Sequence, residues 1–401
     1  MDRRRLAVCL SGAAAFVPLY APQSLLPLLR EFVGNSPAMA GAVVSAGTAG
    51  VAIAAPLVGR LADRLGRRHV IVLAAFLAAI PSLLSALAPT PHLLVAARLL
   101  EGLALPGIFA VTVAYTADQW PLHEARRVTA LYIAGTIGGG FCGRLLSGMV
   151  AEFFGWRWAF VALALLQLLL AIVIRAWLTA DKPQPRSADA PRTRIIDLLA
   201  NPALRAVYIA GFSLLFALVA GFTYVSLRLG EAPFNFGPGA LSAIFVVYLA
   251  SIFTTPFSGR LLNRYGHSRV LAVAWGTAIV GLLITIPASL PAVIVGLILF
   301  SGGLFFAQTA ATTFVGEAMP RARGAAVGLY VTSYYIGGSV GGILPAPLWS
   351  HFGWPGVVAL IALAGVISVT LGQHGFRHHA ATLRQHAARQ AAIARSELDQ
   401  G

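Results

Sequence analysis

The sequence predicts an all-α membrane protein with twelve transmembrane helices in two pseudo-symmetric six-helix bundles. The first observation is composition, since the 401 residues are 58% hydrophobic and only 11% charged. Soluble domains are about 45–50% apolar and about 25% charged. The second is a recurring apolar run of about 20 residues, the length that crosses about 30 Å of hydrocarbon. The third is an internal repeat, in which motifs of the first half return in the second half.

Twelve apolar runs follow one another, several of them separated by only a few residues. The predicted spans are 6–29, 38–58, 70–88, 93–115, 128–150, 157–177, 204–227, 238–258, 269–288, 291–315, 324–347 and 353–372. Backbone polar groups cannot stay unpaired in lipid, so these runs must be helices. Four prolines, Pro18, Pro22, Pro56 and Pro256, are expected to kink their spans rather than break them.

The distribution of basic residues predicts the orientation. All but five of the 29 basic residues lie at the termini, in the even-numbered loops and near the middle segment. This asymmetry predicts that both termini are cytoplasmic and that the protein lies in the cell inner membrane. Residues 179–203 are polar and proline-bearing, as a cytoplasmic linker between bundles 1–178 and 204–372 would be. The basic tail, 373–401, is either a cytoplasmic helix near the lipid surface or a solvated extension.

Several functional classes are disfavoured. The net charge of +15 does not predict nucleic-acid binding, because the basic residues occupy short loops rather than a soluble domain. The only lysine is Lys182, so a GxxxxGK[ST] phosphate-binding loop is absent and ATP-driven pumping is not expected. Cys9 and Cys142 fall inside apolar runs, where no disulfide framework is expected. We predict no cofactor, no metal site and no enzymatic activity.

The internal repeat is the strongest single observation. Residues 56–68 read PLVGRLADRLGRR, and residues 256–268, which lie 200 positions later, read PFSGRLLNRYGHS. The tripeptide FGW occurs at 154–156 and again at 352–354. Paired bundles of this kind place a binding site near the midplane and move against each other around it.

Residues 59–70 resemble the signature of the major facilitator superfamily in the loop between its second and third helices. The resemblance implies that superfamily's fold and transport by alternating access. In that family the loop latches the two halves together in the outward-open state, and a variant lies between helices 8 and 9. The implied latch residues here are Gly59, Asp63, Arg64, Gly66, Arg67, Asp118, Gly259, Arg260 and Gly266.

The residue types suit a latch. Gly66 permits a tight turn, Asp63 can face the positive N-terminal end of a helix, and Arg67 offers a planar fork to a carboxylate. Asp118, at the end of span 4, is the expected partner of Arg67. For Arg64 the alternative is a residue that only enforces topology.

Span 4 contains the sequence RLLEG at 98–102, which resembles the R-x-x-q-G motif that the superfamily associates with proton coupling. Here Glu101 stands where glutamine is commoner. Arg98 and Glu101 are three residues apart and therefore share one helix face. Burial opposes ionisation of a carboxyl group and a nearby arginine favours it, so Glu101 is a candidate proton carrier. The alternative is a static ion pair.

Span 5 contains glycines 135, 139 and 143 followed by the sequence RLLSG, which resembles the drug–proton antiporter and arabinose-efflux branch of the superfamily. Its Arg144 either faces a central cavity or extends to the outer headgroups. The other cavity candidates are Tyr20, Gln23, Tyr224 and Gln308, each of which could instead be a packing contact. Two cavity arginines with Glu101 would favour an anionic or sugar-like polar solute over a lipophilic cation.

These observations predict a secondary active transporter, most simply a monomer in the lipid bilayer. Its partners would be protons and a small solute, sugar-like, a metabolite or a drug, that it exports by alternating access. One alternative is a facilitative or proton-symport uptake carrier. Others from different classes are a membrane-embedded lipid-modifying enzyme, for which no acidic cluster is present, and a transporter-like sensor, for which no large cytoplasmic domain is present.

Overall fold

The computed structural model describes residues 2–181, 195–319 and 323–398, and every regular element within those ranges is a helix. The helices are α1 (Arg3–Phe16), α2 (Pro22–Leu29), α3 (Pro37–Leu65), α4 (Arg67–Leu77), α5 (Ala79–Leu87), α6 (Pro91–Gln119), α7 (Leu122–Phe154), α8 (Trp156–Trp177), α9 (Ile195–Ala200), α10 (Pro202–Leu229), α11 (Pro238–Ile244), a 3-10 helix (Phe245–Leu249), α12 (Ala250–Ile284), α13 (Leu290–Ala318), α14 (Arg323–Ile343) and α15 (Ala346–Leu398). The all-helical fold expected from the sequence is confirmed.

Eight helical stretches of the described chain are long and apolar enough to cross a membrane. They are Pro37–Leu65, Arg67–Leu87, Pro91–Gln119, Trp156–Trp177, Pro202–Leu229, Arg264–Ile284, Leu290–Ala318 and Ala346–Phe376. The other four predicted spans correspond to α1 with α2, to α7, to α11 with the 3-10 helix and the start of α12, and to α14. Within the predicted linker, residues 182–194 lie outside the described part of the chain.

The first predicted span is interrupted, which corrects the expectation that Pro18 and Pro22 only kink it. Helix α1 ends at Phe16, residues 17–21 form a turn, and α2 begins at Pro22. Pro22 has no N–H to continue the hydrogen-bond ladder, and the amide of Gln23 bonds to Tyr20 O instead, at 3.1 Å. Pro56, in contrast, lies inside the continuous helix α3.

The internal repeat of the sequence is also present in the backbone conformation, at equivalent glycines of the two halves. Gly66 has φ of 90° and its counterpart Gly266 has φ of 77°, each between two helical segments. Gly155 and Gly353, in the two FGW motifs, have φ of 85° and 60°. Positive φ is readily accessible only to glycine, so both halves turn at equivalent positions for the same reason.

The two halves meet at one end of the molecule, which we call the closed end and define by residues 30–41 and 230–242. There a Cβ on Gly41 would lie 1.7 Å from Gly342 O, so α3 and α14 are in backbone contact. Arg30 Nη1 lies 3.0 Å from Glu231 Oε1, and Glu152 Oε2 accepts a hydrogen bond from Gly239 N at 3.0 Å. Each of these contacts joins the first half to the second.

Candidate functional site

A cavity of about 190 Å³ lies between the two halves. It is lined by Phe16, Tyr20, Thr136, Ile137, Gly140, Phe141, Arg144, Leu215, Leu218, Tyr248, Phe305, Gln308, Tyr334 and Tyr335. Half of these residues are aromatic, and within this described lining Arg144 carries the only formal charge. The cavity therefore combines apolar ring surfaces with a single positive group.

Arg144 projects from α7 into this cavity and is 4% exposed. Its Nε and Nη2 donate to Gln23 Oε1 at 3.1 and 2.9 Å, and its Nη1 donates to Gly140 O at 2.8 Å. The guanidinium carbon lies 4.5 Å from the ring centre of Phe245 and 5.0 Å from those of Tyr20 and Tyr248. Ring faces attract a cation, so these rings contribute favourable contacts to the guanidinium without supplying a counter-ion.

The predicted cavity residues fall into three groups. Tyr20, Arg144 and Gln308 line the cavity. Gln23 stands behind Arg144 and its Nε2 donates to Thr223 Oγ1 of the second half at 3.4 Å. Tyr224 is fully buried outside the lining, where its hydroxyl donates to Gly342 O at 2.9 Å and its ring packs against Trp349. Tyr224 thus supports the closed end in this structure.

Arg98 and Glu101 form an ion pair that is almost fully sealed from solvent, with side-chain exposures of 0% and 1%. Ser82 of α5 donates a hydrogen bond to Glu101 Oε1. Neither Arg98 nor Glu101 lines the cavity. The pair lies where α6 crosses α3, since a Cβ on Gly102 would lie 2.0 Å from Gly47 O.

The ion pair nevertheless reaches the cavity wall through the interrupted first span. Arg98 Nη2 donates to Leu19 O at 2.6 Å, and Leu19 lies in the turn at residues 17–21. The next residue, Tyr20, lines the cavity. A carbonyl freed by the broken helical ladder thus finds a charged donor, which satisfies it more strongly than a neutral partner would.

The predicted latch region of the first half is organised around Arg67. Arg67 forms an ion pair with Asp118 and donates to Ala114 O, so α4 is fastened to the end of α6. The exposed residues Asp63 and Arg64 lie on the last turn of α3. A Cβ on Gly59 would meet nothing within 4 Å, so in this conformation none of the described residues packs against that glycine.

In the second half, Gly266 makes the turn equivalent to Gly66, and Arg260 is exposed. Gly259 belongs to the backbone of α12, and its surroundings lie outside the described residues. The role of all these residues as a latch stays a prediction.

Three residues of the site were not predicted from the sequence: Ser82, Phe245 and Tyr248. Ser82 is a single hydroxyl in an apolar span, a type that more often bonds to its own helix. Phe245 and Tyr248 reach Arg144 because the eighth span passes through a 3-10 helix at residues 245–249, which the apolar pattern does not reveal. Within the described part of the chain, no group of three or more His, Cys, Asp or Glu side chains could hold a metal ion.

Comparison with known proteins assigns the family. The profile of the Major Facilitator Superfamily matches residues 8–342 and 231–394. The chain belongs to the Major Facilitator Superfamily. A relative within it is the inner membrane transport protein YnfM of Escherichia coli, 34% identical over 92% of this chain and 89% of its own. An uncharacterized transporter of Bacillus subtilis, YybF, is 29% identical over 90% of each chain.

Solved structures of the superfamily share the fold. The nucleoside transporter NupG superimposes with a TM-score of 0.77 at 16% identity, covering 93% of this chain and 99% of that one. A bacterial homologue of the human lysosomal transporter Spinster, in an inward-facing and unoccupied conformation, gives 0.72 at 15% identity over 94% and 95%. This protein is therefore a multi-pass membrane transporter of the superfamily type.

Proposed function

We propose that this protein is a proton-coupled secondary transporter that exports a small polar solute across the inner membrane by alternating access. The solute occupies the cavity around Arg144, and residues 1–178 and 204–372 act as the two moving units with both termini in the cytoplasm. The observation that carries the proposal is a cavity between the two halves that contains a buried positive charge, with the halves in contact at the closed end. A buried charge in a membrane protein is costly and marks a functional position by default.

The charge of the cavity supports selection by sign. Within the described chain no carboxylate lies within ion-pair distance of Arg144, while its ring neighbours stabilise the cation. A cationic solute would meet an uncompensated like charge there, which disfavours lipophilic cations. A polar solute with a partial or full negative charge would find the donors it needs.

The Arg98–Glu101 pair is the proposed coupling site. Protonation of Glu101 would remove the counter-charge of Arg98. The Arg98 guanidinium would then interact more strongly with its other acceptors, including Leu19 O. Leu19 precedes Tyr20 in the cavity wall, so a proton on Glu101 could bias the position of the first span. The nearly complete sealing of the pair favours a second candidate, a facilitative carrier in which the pair is static.

The proposed latch follows from the same cycle. With the closed end in contact, Gly59 has open space beside it. When the halves rock to open the closed end, the ends of α3 and α4 would approach the second half, and the loop around Gly66 would hold that state.

The test uses purified protein in liposomes loaded with a mixture of small metabolites under an imposed pH gradient. Mass spectrometry identifies which solutes change in concentration relative to empty liposomes. We expect at least one solute to move against its gradient with wild type, and Glu101→Gln to abolish the dependence on the pH gradient while leaving downhill exchange. Asp197→Asn, at an exposed carboxylate of α9 away from the cavity, is the matched control and should behave as wild type.

The alternatives give different results. If Glu101→Gln keeps full gradient-driven accumulation, the coupling role is wrong. If wild type equilibrates a solute downhill and never responds to the pH gradient, the facilitative carrier is correct instead.

A further inference from the structure

The donor geometry of Arg144 indicates the ligand group. A guanidinium has five N–H donors in a planar fork. Gln23 Oε1 accepts one hydrogen bond from Nε and one from Nη2, and Gly140 O accepts one from Nη1. One N–H on each terminal nitrogen is left without an acceptor among the described residues. Two such neighbouring donors match the two oxygens of a carboxylate.

The charge balance limits the ligand to a single negative charge. Arg144 is 4% exposed, and the described lining of the cavity holds no second cation to pair with a dianion. A monoanion would balance the single positive charge of the site. An unpaired arginine at this depth is costly, so its pairing with an anion supplies a driving force for binding.

The side chains that line the cavity indicate the chemistry of the rest of the ligand. Phe16, Phe141 and Phe305 give apolar ring faces, and Tyr335 stacks on Phe109 with ring centres 5.7 Å apart. Aromatic faces favour stacking with a planar ring. Gln308 and Thr136 are the uncharged hydrogen-bonding side chains of the lining other than the tyrosines. A sugar would place many of its hydroxyl groups against apolar ring faces, and a short aliphatic acid would leave the rings uncovered.

We infer that the cavity binds a small aromatic monocarboxylate, with the carboxylate on the free donor pair of Arg144 and the ring between the aromatic walls. This inference rests on the proposed function, because it names the class of solute that the proposed transporter carries.

The test measures equilibrium binding to the purified full-length protein in detergent by calorimetry, with benzoate as the probe. Benzamide has the same ring without the charge, and acetate has the carboxylate without the ring. We expect saturable binding of benzoate and at least about tenfold weaker binding of benzamide, the loss of one charge-assisted hydrogen bond. Acetate should also bind at least about tenfold more weakly, since it lacks the buried ring surface.

Variants locate the site. Arg144→Lys keeps the charge and removes the fork, so benzoate affinity should fall by about tenfold or more. Arg144→Gln should abolish binding. Arg157→Gln is the control, because Arg157 also stacks on an aromatic ring, that of Trp156 at 4.2 Å, yet lies outside the cavity. Gel filtration confirms that each variant is folded and monodisperse.

Three results would overturn the inference: equal affinities for benzoate and benzamide, equal affinities for benzoate and acetate, or no saturable benzoate binding by folded wild-type protein. Binding is measured without a proton gradient, so a failure of proton coupling leaves it unaffected. Conversely, gradient-driven transport of another solute by a protein that does not bind benzoate would refute the substrate class alone.

Discussion

At the scale of single residues, the Arg98–Glu101 pair is where burial and charge compete most directly. Both side chains are essentially unexposed, yet each has a partner outside the pair, Leu19 O for Arg98 and Ser82 for Glu101. Removing one member of a buried ion pair leaves the other charge uncompensated, which costs about 3–5 kcal/mol in soluble proteins. Removing both members avoids that cost.

This asymmetry gives a prediction on stability. Glu101→Leu should lower the thermal unfolding temperature in detergent by more than the double variant Arg98→Met with Glu101→Leu. In the double variant apolar side chains of similar length replace the pair, and no charge is left behind. The measurement is a thermal melt of both variants and of wild type at one pH. A double variant less stable than Glu101→Leu would contradict this account of the pair.

The charged residues of the spans could be identified from the sequence, whereas the orientation of Arg144 could not. Arg98, Glu101 and Arg144 are recognisable because a charge inside an apolar run is conspicuous. The sequence left open whether Arg144 faces the cavity or the headgroups, since both orientations are compatible with its position in span 5. The choice depends on which helix face packs inward, and contacts from other helices determine that.

At the scale of helices, the glycine spacing of α7 explains the placement of Arg144. A Cβ on Gly135 or Gly139 would lie 2.0 to 2.4 Å from the backbone of α1, and one on Gly143 would lie 2.0 Å from the carbonyl oxygen of Val17, directly after α1. Small residues at four-residue spacing let helix backbones approach closely in membranes. Because this face of α7 is fixed against α1, the residue after Gly143 points between α1 and the second half, into the cavity.

The glycine face leads to a second prediction with a close control. Gly139→Ala would place a methyl group 2.4 Å from Ala13 Cα, whereas a Cβ on neighbouring Gly138 would meet nothing within 4 Å. Overpacking typically costs about 1–3 kcal/mol. We therefore expect Gly139→Ala to melt at a lower temperature and to yield less folded protein than Gly138→Ala, which should match wild type. Equal melting of the two variants would show that α1 and α7 are not in this contact.

The chain has two interruptions of regular helix, of which the sequence signalled one in part and the other not at all. The prolines at 18 and 22 indicated that the first span is irregular. They did not indicate that the turn would present Leu19 O to Arg98. The 3-10 helix at 245–249 follows no proline or glycine signal of its own. It depends on packing against α7 and α13, which a single sequence does not encode locally. The spans, the turns at Gly66 and Gly266, and the Arg67–Asp118 pair are in contrast local or repeated features, and the sequence indicated each of them.

At the scale of the whole molecule, the two ends of the bundle should be mutually exclusive contact surfaces. At the closed end Gly41 touches Gly342, whereas Gly59 at the other end of α3 has open space. The exposed Arg30–Glu231 pair adds little, because exposed pairs contribute about 0–1 kcal/mol. Backbone contact through small residues therefore carries the closure, and a bulky side chain at either glycine should shift the equilibrium in one direction only.

Bulky substitutions at the two glycines should therefore have opposite effects on the separation of the halves at the closed end. Gly41→Leu cannot be accommodated beside Gly342 and should widen the closed end, whereas Gly59→Leu fits in this conformation and should oppose only the alternative one. Spin labels at the exposed positions Ala38 and Ala240 report the separation of the halves at the closed end, after Cys9 and Cys142 are replaced by serine. The distance distribution should move to longer values in Gly41→Leu and stay short, or sharpen toward short values, in Gly59→Leu. A shift of both variants in the same direction would mean that the two ends of α3 do not open and close in alternation, because a rigid rocking motion couples them with opposite sign.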